Sequence, residues 1–413
     1  MIMLYTGAIQ LYALTVAAVS PFHRKARLMR AGQAQTAAIL REKIDRKAKY
    51  IWFHASSLGE FEQGRPMIEQ IRTTHPEYKI LLTFFSPSGY EVRKNYAGAD
   101  VVCYLPFDTP GRVEQFLDLA NPAMAIFIKY EFWGNYLHTL QQRGIPVYII
   151  SAIFRREQLF FQWFGKPYRK MLDCFNHLFV QDERSKTLLA EYGIRNVTVA
   201  GDTRFDRVID VYHQAKQIPV VERFIQGTKG QSPRVMVAGS SWPEDEAIFI
   251  PYFERHSEMK LIIAPHEIHE GHLKSIEARL HRPAIRLSQA TEENVADKDC
   301  LIVDSFGLLS SLYRYGQIAY IGGGFGAGIH NTLEAAVYGM PVLFGPRFQK
   351  FKEAKDLIAE GGAFSFETAS AFASRMDTLL SSSEALRASS HAAGHFVQSH
   401  GGATTLILKK IGL

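Results

Sequence analysis

The chain has 413 residues, 47% of them hydrophobic and 21% charged, with no low-complexity tract. This excludes a disordered or fibrous protein, and at roughly 100–200 residues per domain it calls for two or three domains, two if each is of α/β type. Cys103, Cys174 and Cys300 stand far apart and outside any C-x-x-C spacing, which supports neither a disulfide framework nor a zinc site and fits a reducing, cytosolic setting.

The net charge is +6, and its distribution is uneven: between Arg24 and Lys49 nine Lys or Arg stand against two acids, a local excess of +7. A nucleic-acid groove would spread its basic residues over a larger surface with aromatics between them. One N-terminal block points instead to an anionic membrane surface and to no nucleic-acid partner. Residues 1–22 carry no charged side chain, and Ile2 to Val19 is interrupted only by Thr6, Gly7, Gln10 and Thr15, close to the lower limit of about 17–25 residues for a bilayer span. Cations follow this stretch and none precedes it, so the positive-inside rule puts the body on the cytoplasmic side, the reverse of a secretory signal. Residues 1–22 are expected to be a membrane anchor, with a buried or interfacial helix as the alternative.

From Tyr50 onward, short apolar runs alternate with amphipathic stretches. The segments at 50–54, 79–85, 101–105, 123–128, 146–151, 177–181 and 197–201 read as buried strands, with helical periods such as 61–73 and 183–192 between them. Strands alternating with helices argue for a parallel sheet covered on both faces. This first domain is expected over 23–213, followed by a polar linker over 214–233. The same pattern restarts at 234–240, 260–266, 300–304, 317–324 and 341–346, predicting a second doubly wound domain over 234–413 that ends in a closing helix at 404–413. Ligands of such sheets bind beyond the carboxyl ends of the strands, so two facing domains would enclose a cleft.

Three segments at strand ends carry candidate chemistry. Gly322-Gly323-Gly324-Phe325-Gly326-Ala327-Gly328-Ile329-His330-Asn331 precedes the helical run TLEAAVYG. Small residues let backbone amides approach a ligand, and a helix start favours a phosphate. The run lacks G-x-G-x-x-G, so it is not a dinucleotide fingerprint. Glu334, one turn into that helix, is placed to reach a ribose hydroxyl; a plain Asn331 cap with a solvated Glu334 is the bland alternative. Phe53-His54-Ala55-Ser56-Ser57-Leu58-Gly59-Glu60 ends the first strong strand, where a partly desolvated Glu60 gains the pKa of a general base, or is simply a helix-start acid. Lys129-Tyr130-Glu131-Phe132-Trp133-Gly134-Asn135 offers a second carboxylate, Glu131.

These motifs, together with Arg65-Pro66, Leu105-Pro106-Phe107-Asp108, Gly201-Asp202-Thr203-Arg204-Phe205-Asp206, Ala264-Pro265-His266 and Phe344-Gly345-Pro346, resemble in order the 3-deoxy-D-manno-octulosonic acid (Kdo) transferases of lipid A biosynthesis, from the N-terminus to about Phe364. The resemblance implies a GT-B architecture of two Rossmann-like domains, CMP-Kdo as donor, a lipid A precursor as acceptor, inversion without a metal or other cofactor, and attachment to the cytoplasmic face of the inner membrane. It implies Glu60 as general base and Glu131 as the second acid; Ser240, His266, Gly323, Gly324, Asn331 and Glu334 at the CMP; and Ser57, Arg65 and Arg204 for acceptor binding or charge stabilisation. The chain departs from the family at Tyr130 and Gly134, where Thr and Pro are common, and at Ile329, Thr332 and Ala335, where Gly and two prolines are common. Arg204 stands where Lys is usual, which changes hydrogen-bond geometry.

Competing readings are weaker. Asp297-Lys298-Asp299 lies in a polar stretch before a strand and reads as a solvated loop, and His266, His269 and His272 read as a helix surface because only neighbouring pairs share a face. The alternatives are another nucleotide-sugar enzyme of this fold, a UDP-sugar lipid transferase or an epimerase, and a non-catalytic, membrane-tethered nucleotide-binding protein.

Overall fold

The computed structural model describes residues 2–215, 217–227 and 233–413. Two compact units divide the chain: the first runs to Arg207 and regains Gly401–Leu413, and the second is Val208–His400.

In the first unit, β1 (Lys49–Ala55), β2 (Tyr78–Phe84), β3 (Val101–Tyr104), β4 (Met124–Ile128), β5 (Val147–Ala152), β6 (His177–Val180) and β7 (Val197–Val199) form one sheet in the order β3-β2-β1-β4-β5-β6-β7. Every pairing is parallel. Alternate residues of β1 feed opposite cores: Tyr50 and Trp52 pack with Phe116, Phe127 and Tyr136, while Ile51, Phe53 and Ala55 pack with Phe61, Ile68 and Ile126. A strand with both faces covered must be apolar at consecutive positions, which is why β1 reads as a continuous run. All seven expected strands of this unit are present.

In the second unit, β8 (Arg234–Ser241), β9 (Met259–Pro265), β10 (Ala284–Arg286), β11 (Cys300–Ile302), β12 (Ile318–Ile321), β13 (Val342–Phe344) and β14 (Ala363–Ser365) form a second parallel sheet in the order β10-β11-β9-β8-β12-β13-β14. The three-residue strands β10 and β14 close its two edges; neither was expected. These are the two doubly wound sheets of the GT-B fold class.

Three expectations are revised. The boundary between the units falls at Arg207, inside the helix Arg204–Gln214. The expected linker 214–233 contains the helix Pro219–Gln226, anchored by buried Val221 and Phe224; residues 216 and 228–232 of it lie outside the described residues. The closing helix, Ala403–Ile411, belongs to the first unit and not to the second. Asp206 draws it there by accepting the N–H groups of Gly402 and Thr404, and Ile407 and Leu408 bury among Phe53, Phe61 and Ile71.

The uncharged start forms α1 (Ile2–Val19), and the basic block forms α2 (Arg24–Lys43), bent 115° from it. No single helix among the described residues is long and apolar enough to cross a membrane, although this bent pair passes the test by length and composition. One face of α1 packs inward at Ile9, Ala13 and Val16. Its other face leaves Met3, Leu4, Leu11 and Leu14 between 67% and 84% exposed.

Candidate active site

In the first unit the chain builds outward from β1 to β2 and β3, then crosses to the other side of β1 to lay down β4. The carboxyl ends of β1 and β4 are therefore a topological switch point, where open α/β sheets bind ligands. Both candidate carboxylates lie there. β1 runs into Ser57, and α3 (Leu58–Thr74) follows, carrying Glu60 in its first turn. The backbone N–H and the hydroxyl of Ser57 both donate to Glu60 Oε2, at 2.9 and 3.2 Å. Burial, and next the negative charge of Glu131, push the Glu60 carboxyl above its ordinary range, against the Ser57 bonds and His54.

Glu131 follows β4 after Lys129, a non-glycine residue at φ 65°, and is 6% exposed. Its Oε2 accepts from Trp133 Nε1 at 2.6 Å and lies 3.0 Å from His54 Nε2. A carboxylate only accepts, so a proton on Nε2 of the fully buried His54 satisfies this contact. His54 Nδ1 is then left to accept from the Thr83 hydroxyl at 2.8 Å, whose oxygen in turn accepts from Trp52 Nε1 at 2.8 Å. Trp52, Thr83, His54, Glu131 and Trp133 thus form one chain of satisfied buried donors and acceptors, which fixes the carboxylate beside Glu60.

The loop that carries Glu131 is also tied to the N-terminus. Asp108 accepts the N–H groups of Asn135 and Tyr136 at 3.0 and 2.9 Å, at the start of the helix Gly134–Gln142. Tyr5 of α1 donates to Asp108 Oδ2 at 2.6 Å and accepts the Gly134 N–H at 3.1 Å. Burial raises the Asp108 carboxyl to about 6, even against these donors. Neither this clamp nor the His54 chain was expected; the clamp's sequence traces are Asp108 within the Leu105–Asp108 motif and Gly134 and Asn135 within the Lys129–Asn135 motif.

The two arginines expected to help are engaged elsewhere. Arg65 pairs with Glu69 at 2.7 Å and Glu62 at 3.5 Å along α3. Arg204 wraps buried Asp202 through its backbone N–H, Nε and a terminal nitrogen, at 3.0, 2.9 and 2.7 Å. Burial acts to raise the Asp202 carboxyl, but the Arg204 charge and the donors of Arg204 and Gln63 hold it below the ordinary range.

The second unit repeats the geometry at the carboxyl ends of β8 and β12, its own switch point. β8 bulges against β9 between Gly239 and Ser241, and Ser240 takes φ 53° there. The glycine loop follows β12. A Cβ on Gly322 would meet the Ser240 carbonyl oxygen at 2.1 Å, and one on Gly324 would meet the Gly345 backbone at 2.6 Å. These two glycines are thus required by the approach of chain to chain. Asp245 ties the loop down: its carboxylate accepts the N–H groups of Gly323 and Trp242, both at 2.9 Å, and the Tyr320 hydroxyl at 2.9 Å.

The helix after the loop is a single turn, Leu333–Ala336, so the dipole expected of a longer run is absent. Asn331 Oδ1 accepts the Leu333 N–H at 3.1 Å and Asn331 Nδ2 donates to Glu334 at 3.0 Å, which keeps the two side chains adjacent. His266 stacks between Trp242 and His330, with ring centroids 4.7 and 4.4 Å away. Burial and the neighbouring His266 lower His330 to about 4, which keeps the ring neutral, and its Nε2 accepts from Trp242 Nε1 at 3.3 Å, which puts the ring proton on Nδ1. Such a ledge suits a planar ring, and Trp242, Asp245 and His330 were not among the expected site residues.

The three histidines do not form a helix surface. His269 caps the helix Glu270–Arg279, and buried His272 bonds to buried Glu246 at 2.9 Å, whose carboxylate also accepts from Ser241. Asp297 pairs with Lys298 and Asp299 with Arg282. Among the described residues, no group of three or more His, Cys, Asp or Glu is placed to hold a metal ion.

Residues 25–207 match a family model described as 3-deoxy-D-manno-octulosonic-acid transferase (kdotransferase). The chain is 27% identical to the 3-deoxy-D-manno-octulosonic acid transferase of Aquifex aeolicus (strain VF5), over 80% of this chain and 86% of that protein. It is 27% identical to that of Bordetella pertussis, over 86% and 85%. In fold it is similar to the UDP-GlcNAc 2-epimerase from Neisseria meningitidis bound to UDP-GlcNAc, with a TM-score of 0.60 at 14% identity over 88% of this chain and 99% of that one. The matched N-terminal segment and relatives that span most of the chain make this chain a glycosyltransferase similar to the Kdo transferases.

Proposed function

We propose that the chain transfers Kdo from CMP-Kdo to a lipid A precursor with inversion at the anomeric carbon, and that Glu60 is the general base. The observation that carries this reading is Glu60 itself, a carboxylate at the switch point of the first sheet, raised in pKa by burial and by Glu131. The acceptor hydroxyl passes its proton to Glu60 while its oxygen bonds to the anomeric carbon. The bond from that carbon to the phosphate oxygen breaks, and its electron pair leaves on CMP. Glu131, held by His54 and Trp133, keeps a negative charge near the base and so sustains its basicity.

On the donor side we assign Ser240, His266, Gly323, Gly324, Asn331 and Glu334 to CMP, with the Trp242–His266–His330 stack as a surface for its ring. No metal or other cofactor is assigned a step, so transfer is expected to survive a chelator. Ser57 holds Glu60, while Arg65 and Arg204 would have to exchange a carboxylate partner to meet the acceptor. The apolar outer face of α1 and the cations of α2 fit attachment to the cytoplasmic face of an anionic inner membrane.

The test is a donor screen with CMP-Kdo, UDP-sugars and NAD, monitoring CMP release with and without the lipid acceptor. Glu60→Gln should lose about 10²- to 10⁴-fold in rate with CMP affinity unchanged. UDP or NAD bound much more tightly than CMP would overturn the donor, and near wild-type turnover in Glu60→Gln would overturn the base.

A further inference from the structure

Between α1, α2 and the helix Pro110–Ala120, the first unit holds an open pocket of about 320 Å³, within the ~300–1,000 Å³ range of small-molecule sites. Val16, Leu40 and Phe116 give it buried apolar walls. Gln33, on α2, lines it as well, and neither polar atom of its amide is accessible to solvent or has a hydrogen-bond partner among the described residues. Leaving a buried amide unmet costs ~1–3 kcal/mol, so a turn of the Gln33 side chain toward a cavity ligand that supplies both an acceptor and a donor is favoured.

Arg30 and Arg112 line the same cavity. Arg30 donates to the Ser20 hydroxyl at 3.3 Å and Arg112 lies 5.5 Å from the centroid of the Phe107 ring. Among the described residues neither forms an ion pair. Two cations without carboxylates, an unmet amide and a lining that is apolar on one side and polar on the other together match an anionic amphiphile. Where that amphiphile would come from is indicated by α1, which contributes Val16 to the wall and turns Met3, Leu4, Leu11 and Leu14 outward.

We propose that this cavity binds one anionic phospholipid of the bilayer, with an acyl chain along the apolar wall, the phosphate between Arg30 and Arg112, and the glycerol esters and headgroup hydroxyl meeting Gln33. The proposal rests on the membrane-facing reading of α1 and not on the Kdo-transfer reaction. It makes the N-terminal region a lipid-selective clamp beyond the attraction of a basic surface for an anionic one.

Native mass spectrometry of the full chain after incubation with phosphatidylglycerol vesicles tests it, and wild type is expected to retain one phosphatidylglycerol. Arg30→Gln/Arg112→Gln should cut retention about tenfold or more. Arg24→Gln/Arg27→Gln, which removes the same charge from side chains that do not line the cavity, should retain lipid as wild type does. Gln33→Leu, which deletes the amide and keeps the bulk, should also weaken retention, and it carries the test if the double arginine variant fails to fold. Equal losses in the two double variants would mean general electrostatics and would overturn the proposal. Displacement by inorganic phosphate would reveal a plain anion site, and displacement by the purified glycolipid acceptor an acceptor site; either overturns it. Glu60→Gln should keep the phospholipid whether or not it loses transfer, so the two proposals fail separately.

Discussion

Removing one hydroxyl, by Tyr5→Phe, tests whether α1 is part of the catalytic apparatus or only a tether. That hydroxyl donates to the Asp108 carboxylate at 2.6 Å and accepts the Gly134 N–H at 3.1 Å. A hydrogen bond to a charged group is worth ~1.5–3 kcal/mol and a neutral one ~1 kcal/mol; because the two share an oxygen and are not additive, a loss of ~2–3 kcal/mol is expected above pH 6. Burial raises Asp108 to about 6 from an ordinary 3.8, so below that pH the carboxyl is protonated and the bond loses its charge assistance. The loss on Tyr5→Phe should therefore shrink toward ~1 kcal/mol near pH 4. Denaturant unfolding at the two pH values measures both numbers. Steady-state kinetics supply the second readout: kcat should fall because the Glu131–Trp133 loop is no longer pinned, with KM for CMP-Kdo unchanged. Equal destabilisation at both pH values, or wild-type kcat with the expected loss of stability, would refute the coupling of α1 to the loop.

Replacing Glu131 with Gln removes the charge that helps raise Glu60; because the base must be ionised, the acid limb of the kcat profile should move to lower pH, and a shift to higher pH would contradict the arrangement. Gly324→Ala puts a Cβ 2.6 Å from the Gly345 backbone and should cost more than ~2 kcal/mol, whereas Gly59→Ala, with nothing within 4 Å in the first turn of α3, should be neutral or stabilising by up to ~1 kcal/mol; thermal unfolding of the two variants decides it. Deleting residues 401–413 should destabilise the first unit by several kcal/mol, since losing a buried aliphatic side chain costs ~2–5 kcal/mol, while CMP binding by the second unit persists in calorimetry.

What the sequence made legible follows from which signals are local. The central strands were readable because both faces of each sheet are covered, so Tyr50 to Ala55 had to be apolar at consecutive positions. β10 and β14 were missed because edge strands with partly open faces have no such run: Ala284–Arg286 is half-buried throughout, and Ser365 is exposed. The seat of the closing helix was not readable from its own residues, since Asp206 caps it from 196 and 198 positions away. Glu60 and Glu131 could be found as acids just past apolar runs, but the His54–Thr83 and Tyr5–Asp108 links join side chains 29 and 103 positions apart. The glycine loop was located correctly and explained incompletely, because a sequence shows small residues without showing that Gly322 and Gly324 must clear the backbone of Ser240 and Gly345.

The strained positions are the least visible from sequence. Among the described residues, four non-glycine residues adopt a positive φ, and three of them, Lys129, Ser151 and Ser240, lie at the carboxyl ends of β4, β5 and β8. Glycine adopts that backbone without strain, and the cost of ~1–3 kcal/mol for another residue persists only where the surroundings hold it. Ser151 shows what its side chain contributes, since its hydroxyl bonds Thr203, beside the Asp202–Arg204 pair. Lys129 turns the chain so that Glu131 reaches His54, and Ser240 stands where the second sheet's switch point opens. Strain collected at the carboxyl ends of strands in both units, on residues that keep their side chains there, falls at the same two ends that carry the candidate site residues.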